Sequence, residues 1–268
     1  MLAQMGISPV WVPRHAPAEA LATVAATVAE PVFTAQTVSN PEVSRKPMEG
    51  KGSGDGLAQK RSQSASAASA VMDSAADPER AARIARMDWP ELQQQVAGCT
   101  ACALCKGRTN TVFGVGDQQA DWMIIGEAPG QEEDRLGEPF VGQAGKLLDA
   151  MLAALDMNRR AKVYIANVLK CRPPANRNPE PYEMAQCAAH LTRQVELVAP
   201  RVILLMGRFA TQAILQTDAS IASLRGRVHQ YHGIPAVVTY HPAYLLRNLP
   251  DKVKAWEDLL FARSVIDA

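Results

Sequence analysis

Five cysteines are the residues in this sequence whose type and spacing point most directly to chemistry. Cys99 and Cys102 form a Cys-x-x-Cys pair, Cys105 extends that pair to CTACALC, and Cys171 and Cys187 follow farther along the chain. Thiolates at these spacings suit a tetrahedral site that holds either zinc or an iron–sulfur cluster. The two-residue gap favours Cys102 over Cys105 as the partner of Cys99, and spacing alone does not identify the metal. The alternative is that these side chains are buried and pack as small hydrophobic groups.

A second set of side chains that could bind or polarise a ligand lies near the ends of short apolar runs. Glu127 and Glu133 belong to the acidic loop GEAPGQEED, and Phe140 lies in EPFVGQAG, where its ring could stack on a planar ligand. Asn167 offers a donor and an acceptor that match the edge of a pyrimidine, and His241 could stabilise a developing anion. Taken singly, the glutamates could belong to a solvated acidic loop, Phe140 is more often a core residue, Asn167 is more often a cap, and His241 could mark a turn. Their shared placement predicts one cleft that holds all five.

The segment after the histidine and several basic residues could contact a nucleic acid. Leu245, Leu246 and Arg247 form a loop that could wedge between stacked bases and clamp a phosphate. A phosphate track is predicted from Lys170, Arg172, Arg177, Arg225 and Arg227. The alternative for each of these cations is an ordinary exposed charge.

The apolar runs also predict the elements that would position these residues. Strands are expected at 122–125, 163–165, 202–206 and 236–239, and helices at 88–98, 142–155, 181–198, 207–215 and 252–266. Strands that alternate with helices predict a three-layer α/β/α fold around a central, mostly parallel four-stranded sheet. In such sheets ligands bind beyond the carboxyl ends of the strands, where the predicted cleft lies.

Composition narrows the class of protein further. The chain has 268 residues and a net charge of +1, from 28 Lys+Arg and 27 Asp+Glu, which excludes a globally basic protein but not a local basic groove. No apolar run approaches the ~20 residues that span a bilayer, and no signal-peptide pattern opens the sequence. An odd cysteine count argues against a disulfide framework, so we expect a cytoplasmic protein with no membrane association.

Residues 1–80 differ in composition from the rest of the chain. They are rich in Ala, Ser, Thr, Pro and Gly, include the run SQSASAASA, and carry one stretch, near 19–28, that could form a short helix. Such a composition predicts a disordered extension, with docking to an unknown protein partner as the alternative. The ordered domain is expected to span residues 81–268.

The four motifs GEAPGQEED, EPFVGQAGKLLD, NVLKCRPPANRNP and HPAYLLRN together resemble the family 4 uracil-DNA glycosylases, the iron–sulfur branch of their superfamily. The resemblance covers about residues 91–265, and CTAC, GRT and residues 225–233 also fit it. It implies an enzyme of base excision repair that flips uracil out of single- or double-stranded DNA and hydrolyses its N-glycosidic bond, leaving an abasic site. It further implies a monomer that associates with the nucleoid through DNA.

The resemblance also implies a structural [4Fe–4S] cluster, with Cys105 unliganded. The implied ligands are Cys99, Cys102, Cys171 and Cys187. A zinc-bound version stays the alternative.

Roles in the cleft follow from the same resemblance. Phe140 would stack on uracil, Asn167 would read its Watson–Crick edge, and His241 would donate a hydrogen bond to O2. Ala128 would line the uracil site at the position where the best-known uracil glycosylase family has a water-activating Asp. Glu133 is therefore our candidate for positioning water or stabilising the cationic sugar, with Glu127 as the alternative. Leu245, Leu246 and Arg247 would extract the base, and Arg172 and Arg177 would contact DNA.

Two other functions are the alternatives to this one. A non-catalytic DNA-binding module, with a tail that docks a polymerase, is disfavoured because Asn167 and His241 both keep their motif context. A related family links covalently to DNA through a histidine in a basic inserted loop. Residues 226–233 lack that insertion, so the sequence predicts an enzyme that turns over.

Overall fold

The computed structural model of the chain describes residues 77–267. Most of the extension predicted for residues 1–80, including the helix considered near 19–28, lies outside the described residues. Within them, the first helix begins at Pro78, because the Asp77 carboxylate caps it by accepting hydrogen bonds from the backbone N–H groups of Glu79 and Arg80. Across residues 77–267, no helix combines the length and the apolar character needed to span a membrane.

A six-stranded sheet lies at the centre of the fold, with the strand order β1-β3-β2-β4-β6-β5. The strands are β1 (Val115–Gly116), β2 (Trp122–Gly126), β3 (Val163–Asn167), β4 (Val202–Met206), β5 (Val228–Tyr231) and β6 (Ile234–Thr239). The four central strands β3, β2, β4 and β6 are parallel and correspond to the four strands predicted.

The prediction of a four-stranded sheet is wrong, because two antiparallel edge strands complete it. The strand β1 has only two residues and pairs with β3. The strand β5 forms a hairpin with β6 through His232 and Gly233, which both have positive φ angles. Its residues alternate between exposed and half-buried, so it has no continuous apolar run of the kind that identified the central strands.

Helices cover both faces of the sheet, which confirms the predicted three-layer fold. In the described residues they are α1 (Pro78–Ile84), α2 (Trp89–Ala97), α3 (Gln131–Leu136), α4 (Gln143–Ala153), α5 (Pro181–Val198), α6 (Arg208–Leu215), α7 (Ile221–Leu224), α8 (Pro242–Leu245) and α9 (Lys252–Asp267). Helices α4, α8 and α9 pack on one face, and α5 and α6 pack on the other. Every residue of β2, β3 and β4 is buried, as expected for parallel strands covered on both faces.

The strand register brings the candidate site together. Gly126, at the end of β2, is paired with Asn167, at the end of β3, and the parallel β4 and β6 end at the same edge of the sheet. The loops that carry the acidic motif, the phenylalanine and the histidine all leave from this edge or return to it. The fold therefore places four separate sequence motifs around one opening.

Candidate active site

A cleft at the carboxyl ends of the parallel strands contains all the residues that the sequence predicted for it. Its lining includes Glu127, Ala128, Glu133, Phe140, Asn167 and His241. Arg177 and Asn176 close one side of the same cleft. These residues come from the loops after β2, β3 and β6, so the sheet edge is what brings them together.

Asn167 is the most informative residue in the cleft. It is 2% exposed, and its side-chain Oδ1 is buried with no hydrogen-bond partner within residues 77–267. Its backbone carbonyl accepts a 2.8 Å hydrogen bond from the Nζ atom of Lys170, which also donates to Gln194 Oε1 at 2.6 Å. A buried acceptor without a partner costs free energy, and a ligand that donates a hydrogen bond there would remove that cost.

Phe140 lines the cleft together with Asn167, and both side chains pack against Gly126 at the end of β2. The Phe140 ring is buried and stacks on the His241 ring, with a centroid distance of 5.5 Å and an interplanar angle of 28°. A Cβ atom at Gly126 would lie 2.5 Å from Asn167 Oδ1 and 2.6 Å from Phe140 Cζ. Glycine is therefore needed at this position for the amide and the ring to approach the strand end.

Glu133 uses both carboxylate oxygens to hold the backbone of the surrounding loops. Its Oε2 accepts a 3.1 Å hydrogen bond from Gly130 N–H, and its Oε1 accepts 2.9 Å bonds from the N–H groups of Val141 and Gly142. The carboxylate thus caps α3 and fixes the residues that follow Phe140. These contacts give Glu133 a positioning task that the sequence did not reveal, since backbone N–H partners leave no mark on residue type.

Glu127 has a different environment. Burial raises the pKa of this carboxyl group to about 7, and the charge of Arg208 opposes the shift. The group therefore changes its charge near neutral pH, as catalytic carboxyl groups often do. Glu133 is thus bound to backbone N–H groups, whereas Glu127 is a buried carboxyl group with a raised pKa.

His241 is held as a neutral hydrogen-bond donor. It caps α8, and its Nδ1 accepts a 3.1 Å hydrogen bond from Ala243 N–H, so the ring proton lies on Nε2. Burial, with a smaller contribution from Arg247, lowers the pKa of the imidazole to about 4, while Glu133 opposes the shift. A neutral imidazole with Nε2–H can donate a hydrogen bond to an oxygen that becomes negatively charged during the reaction.

The five cysteines surround a second, smaller cavity. Arg108, Lys170, Gln186 and His190 also line it, and all five thiols are free. Arg108 donates to Cys171 Sγ at 3.2 Å, and Arg80 donates to Cys99 Sγ at 3.4 Å. Among residues 77–267, no group of three or more His, Cys, Asp or Glu side chains is arranged to hold a single metal ion. The structure thus gathers the predicted ligands and leaves Cys105 at the same cavity.

Comparison with known proteins identifies the family. Residues 113–260 match the family model of the uracil DNA glycosylase superfamily. The type-4 uracil-DNA glycosylase of Archaeoglobus fulgidus is 44% identical over 164 residues, which cover 58% of this chain and 82% of that protein. The chain belongs to the type-4 uracil-DNA glycosylases.

Two further relatives place it within the superfamily. The type-4 uracil-DNA glycosylase of Thermotoga maritima is 42% identical over 179 residues, which cover 65% of this chain and 93% of that protein. The type-5 uracil-DNA glycosylase of Pyrobaculum aerophilum is 31% identical over 149 residues, which cover 50% of this chain and 66% of that protein. The resemblance stated from the sequence motifs is confirmed.

The residues predicted to wedge between bases, 245–247, differ in how far they are exposed. Leu245 is fully buried in the core between α4 and α9, so the structure does not present it for base extraction. Leu246 is 42% exposed, and Arg247 is exposed beside it. Leucine type alone did not distinguish the two, because successive residues at the end of a short helix point about 100° apart, and only Leu245 reaches the core.

Two of the five residues predicted to form a phosphate track are not available to bind phosphate. Lys170 is 1% exposed and its ammonium is bound inside the protein, and Arg225 pairs with the carboxylates of Asp258 and Glu257. Arg227 is exposed and donates to the carbonyl of Ser223. Lys170 and Arg225 therefore support the fold instead of contacting phosphates.

Arg172 and Arg177 stay close to the cleft. Arg172 donates a 2.8 Å hydrogen bond to Asn176 Oδ1, and Arg177 forms a bidentate ion pair with Glu183, with its shorter contact at 2.6 Å. Arg177 also lines the cleft directly. These two arginines are the predicted cations that the structure brings to the site.

Three arginines that the predicted site omitted contact its supporting structure. Arg80 and Arg108 reach cysteine sulfurs, and Arg159 donates to the carbonyl of Phe140. Arg108 belongs to the GRT motif, which was a usable signal. Arg80 and Arg159 lie outside every recognised motif, and several of their partners are backbone carbonyls, so the sequence alone did not indicate their roles.

Proposed function

We propose that this protein removes uracil from DNA by hydrolysing the N-glycosidic bond, releasing free uracil and leaving an abasic site for base excision repair. Membership of the type-4 uracil-DNA glycosylases supports this activity. The observation that carries the proposal is the buried, unpartnered Oδ1 of Asn167 in a cleft shared with Phe140 and His241. The aromatic ring can stack on the face of a pyrimidine base, and the amide can bind its hydrogen-bonding edge. The neutral imidazole can stabilise the negative charge of the base as it leaves.

Base selection follows from the hydrogen-bonding edge of Asn167. Uracil presents N3–H, which can donate to Oδ1, and O4, which can accept from the side-chain Nδ2 of the same amide. Cytosine presents an acceptor at N3 and a donor at N4, so both contacts would be mismatched inside a buried site. Phe140 stacks on the base, and Ala128, which has no polar side-chain atom, completes the wall of the uracil site.

Bond cleavage places negative charge on the departing uracil and positive charge on the sugar. His241 donates from Nε2–H to uracil O2 and stabilises the anion. Glu127 stabilises the cationic sugar or holds the attacking water, because it faces the cleft and titrates near neutral pH. Glu133 keeps the loop of Phe140 in place, since three backbone N–H groups occupy its oxygens. The sequence favoured Glu133 over Glu127 for this role, and the proposal reverses that preference.

Access to a base in duplex DNA requires that the base be extruded from the stack. Leu246 is the wedge in this proposal, because it is exposed next to Arg247 on the segment that follows His241. Arg247 and Arg172 contact phosphates, and Arg177 orders the rim of the cleft. The protein of this proposal acts as a monomer, and its association with the nucleoid follows from DNA being the substrate.

We propose that a [4Fe–4S] cluster stabilises the loops beside the cleft. Its ligands would be Cys99, Cys102, Cys171 and Cys187. The surroundings fit an anionic group with acceptor sulfurs, since Arg80 and Arg108 already donate to two of these sulfurs. His190 lines the same cavity, accepts from Arg80 at Nε2, and has a buried Nδ1 with no partner among residues 77–267.

Such a cluster would supply structural cross-links between the segments that carry these four cysteines. Cys105 would stay unliganded. The catalytic domain of the proposal begins near residue 77 and runs to the end of the chain, and residues 1–76 are not required for excision.

The test is release of uracil from single- and double-stranded oligonucleotides, followed by alkaline cleavage at abasic sites. Full-length protein purified without oxygen should be brown, and DNA treated with it should be cleaved by alkali at uracil but not at cytosine or thymine. A shortened chain that begins at Asp77 should do the same. A folded, brown protein that binds DNA but cuts nowhere would overturn the enzyme proposal in favour of a DNA-binding module. Colourless protein prepared in this way would count against the cluster.

A further inference from the structure

The backbone of Phe140 adopts an uncommon conformation. Its φ angle is +54°, in the left-handed region that large side chains rarely enter. The carbonyl of Phe140 packs against Gly145, where a Cβ atom would lie 1.7 Å from the carbonyl oxygen. Such a conformation persists only when the surrounding structure holds it, so the contacts around Phe140 bear directly on where its ring lies.

Arg159 holds the carbonyl side of this loop. Its Nη2 donates a 2.7 Å hydrogen bond to the Phe140 carbonyl, and its Nη1 donates a 3.2 Å bond to the carbonyl of Pro139. Its Nε donates to Asp149 Oδ1 at 2.9 Å. The Arg159 side chain is 17% exposed. One planar guanidinium therefore joins two consecutive carbonyls of the stacking loop to a carboxylate on α4.

Glu133 holds the amide side of the same loop. Its Oε1 accepts from the N–H groups of Val141 and Gly142, which immediately follow Phe140. The carbonyls of residues 139 and 140 are thus bound by a cation, and the amides of residues 141 and 142 are bound by an anion. The four residues 139–142 are fixed from both sides, with Phe140 at the centre.

We propose that Arg159, oriented by Asp149, is a positioning residue that sets the Phe140 ring for stacking on the extruded uracil. This inference rests on the proposed function. Arg159 is not among the residues that line the cleft, so it acts through the loop alone. A lysine would present one point charge and would not bind both carbonyls and Asp149 in the same plane.

The experiment is a double-mutant cycle on the single-turnover rate of uracil release. The proteins are the wild type, Arg159→Ala, Phe140→Leu and the double variant, with Arg160→Ala as the matched control because Arg160 is adjacent and exposed. We expect Arg159→Ala to slow release at saturating enzyme by about 10- to 100-fold, the scale of a displaced binding group. The enzyme concentration that gives half of the maximal rate should change much less.

Coupling between the two residues decides the result. We expect Arg159→Ala to have little further effect in the Phe140→Leu background, because the ring that it positions is already gone. Arg159→Lys should recover part of the rate. If Arg159→Ala slows the Phe140→Leu enzyme by as much as it slows the wild type, or if it behaves like Arg160→Ala, the inference is overturned.

Two controls separate other failures. Thermal unfolding shows whether each variant folds, and if Arg159→Ala does not, the same cycle is run with Asp149→Asn, which loosens the guanidinium without removing it. Additive losses in that second cycle would equally overturn the inference. A wild-type protein that releases no uracil contradicts the proposed function itself, which is a different outcome from a working enzyme whose cycle is additive.

Discussion

Replacement of Glu133 by glutamine separates a structural carboxylate from a catalytic one. The carboxylate accepts three backbone hydrogen bonds, one at Oε2 and two at Oε1. A glutamine side chain has a single oxygen. If that oxygen keeps the bonds from Val141 and Gly142, the NH₂ group must face the N–H of Gly130, and two donors then oppose each other.

The loss can be estimated from these contacts. One hydrogen bond to a charged acceptor is removed, which costs about 1.5–3 kcal/mol. For a domain of this size, each kcal/mol lowers the Tm by about 2–4 °C, so Glu133→Gln should unfold about 3–12 °C below the wild type. The loosened amides after Phe140 should also slow uracil release, by about tenfold if the ring is displaced by a fraction of an ångström.

The assay combines thermal unfolding with uracil release measured across pH. Glu132→Gln is the matched control, since Glu132 is the exposed neighbour that pairs only with Arg135 in the described chain. We expect Glu133→Gln to lose stability and part of its rate while the midpoint of the pH profile stays in place. A variant as stable as the wild type yet inactive would refute this reasoning and return Glu133 to the water-positioning role that the sequence favoured.

Three further predictions concern the groups that face the base. Asn167→Asp should lower uracil release by at least about tenfold and weaken discrimination against cytosine, because a carboxylate cannot donate to O4; unchanged rates on both bases would contradict its role. Gly126→Ala should lower the rate and also the Tm, by about 2–12 °C for an overpacking cost of about 1–3 kcal/mol, since the new methyl group displaces the buried Asn167 amide and Phe140 ring; an active variant with intact specificity would show that the approach is not needed. Activity should rise with a midpoint near pH 7 as Glu127 ionises, and a Glu127→Gln variant should lose this rise. His241 is already neutral above about pH 4 and adds no step there, so a midpoint near 7 that survives in Glu127→Gln would assign the titration to another group.

The parts of the fold that the sequence predicted are those in which burial dictates residue type. The central strands β2, β3, β4 and β6 are covered on both faces, so they appear as continuous apolar runs. The edge strands β1 and β5 were missed because one has two residues and the other alternates polar residues at a surface. Both were missed for the same reason, because a strand at the edge of a sheet needs fewer apolar side chains.

The same distinction applies to the cleft. The sequence predicted that one cleft holds Asn167, Phe140 and His241. Parallel strands end at the same edge of a sheet, so the motifs that follow those strands lie close together. Contacts with backbone atoms could not be predicted, because every residue offers the same N–H and C=O groups. This is why the tasks of Glu133 and Arg159 became visible only in the structure.

The buried side chain of Lys170 explains how the cysteine cavity and the amide proposed to read the base are joined. The segment from Asn167 to Cys171 is five residues long, and its ends belong to the two sites. Lys170 binds the Asn167 carbonyl and Gln194 inside the protein. Backbone bonds from residues 168 and 169 to the carbonyls of Gly126 and Glu127 fasten the segment to the end of β2.

A displacement of Cys171 would therefore be transmitted to Asn167 through a segment with little freedom to absorb it. Burying the amino group of a lysine is costly unless its hydrogen bonds are satisfied, and here one of those bonds falls on the carbonyl of Asn167 and the other on Gln194. The proposed cluster needs no part in bond cleavage to affect it. By holding Cys171, it would hold the Asn167 amide at the position where uracil is distinguished from cytosine.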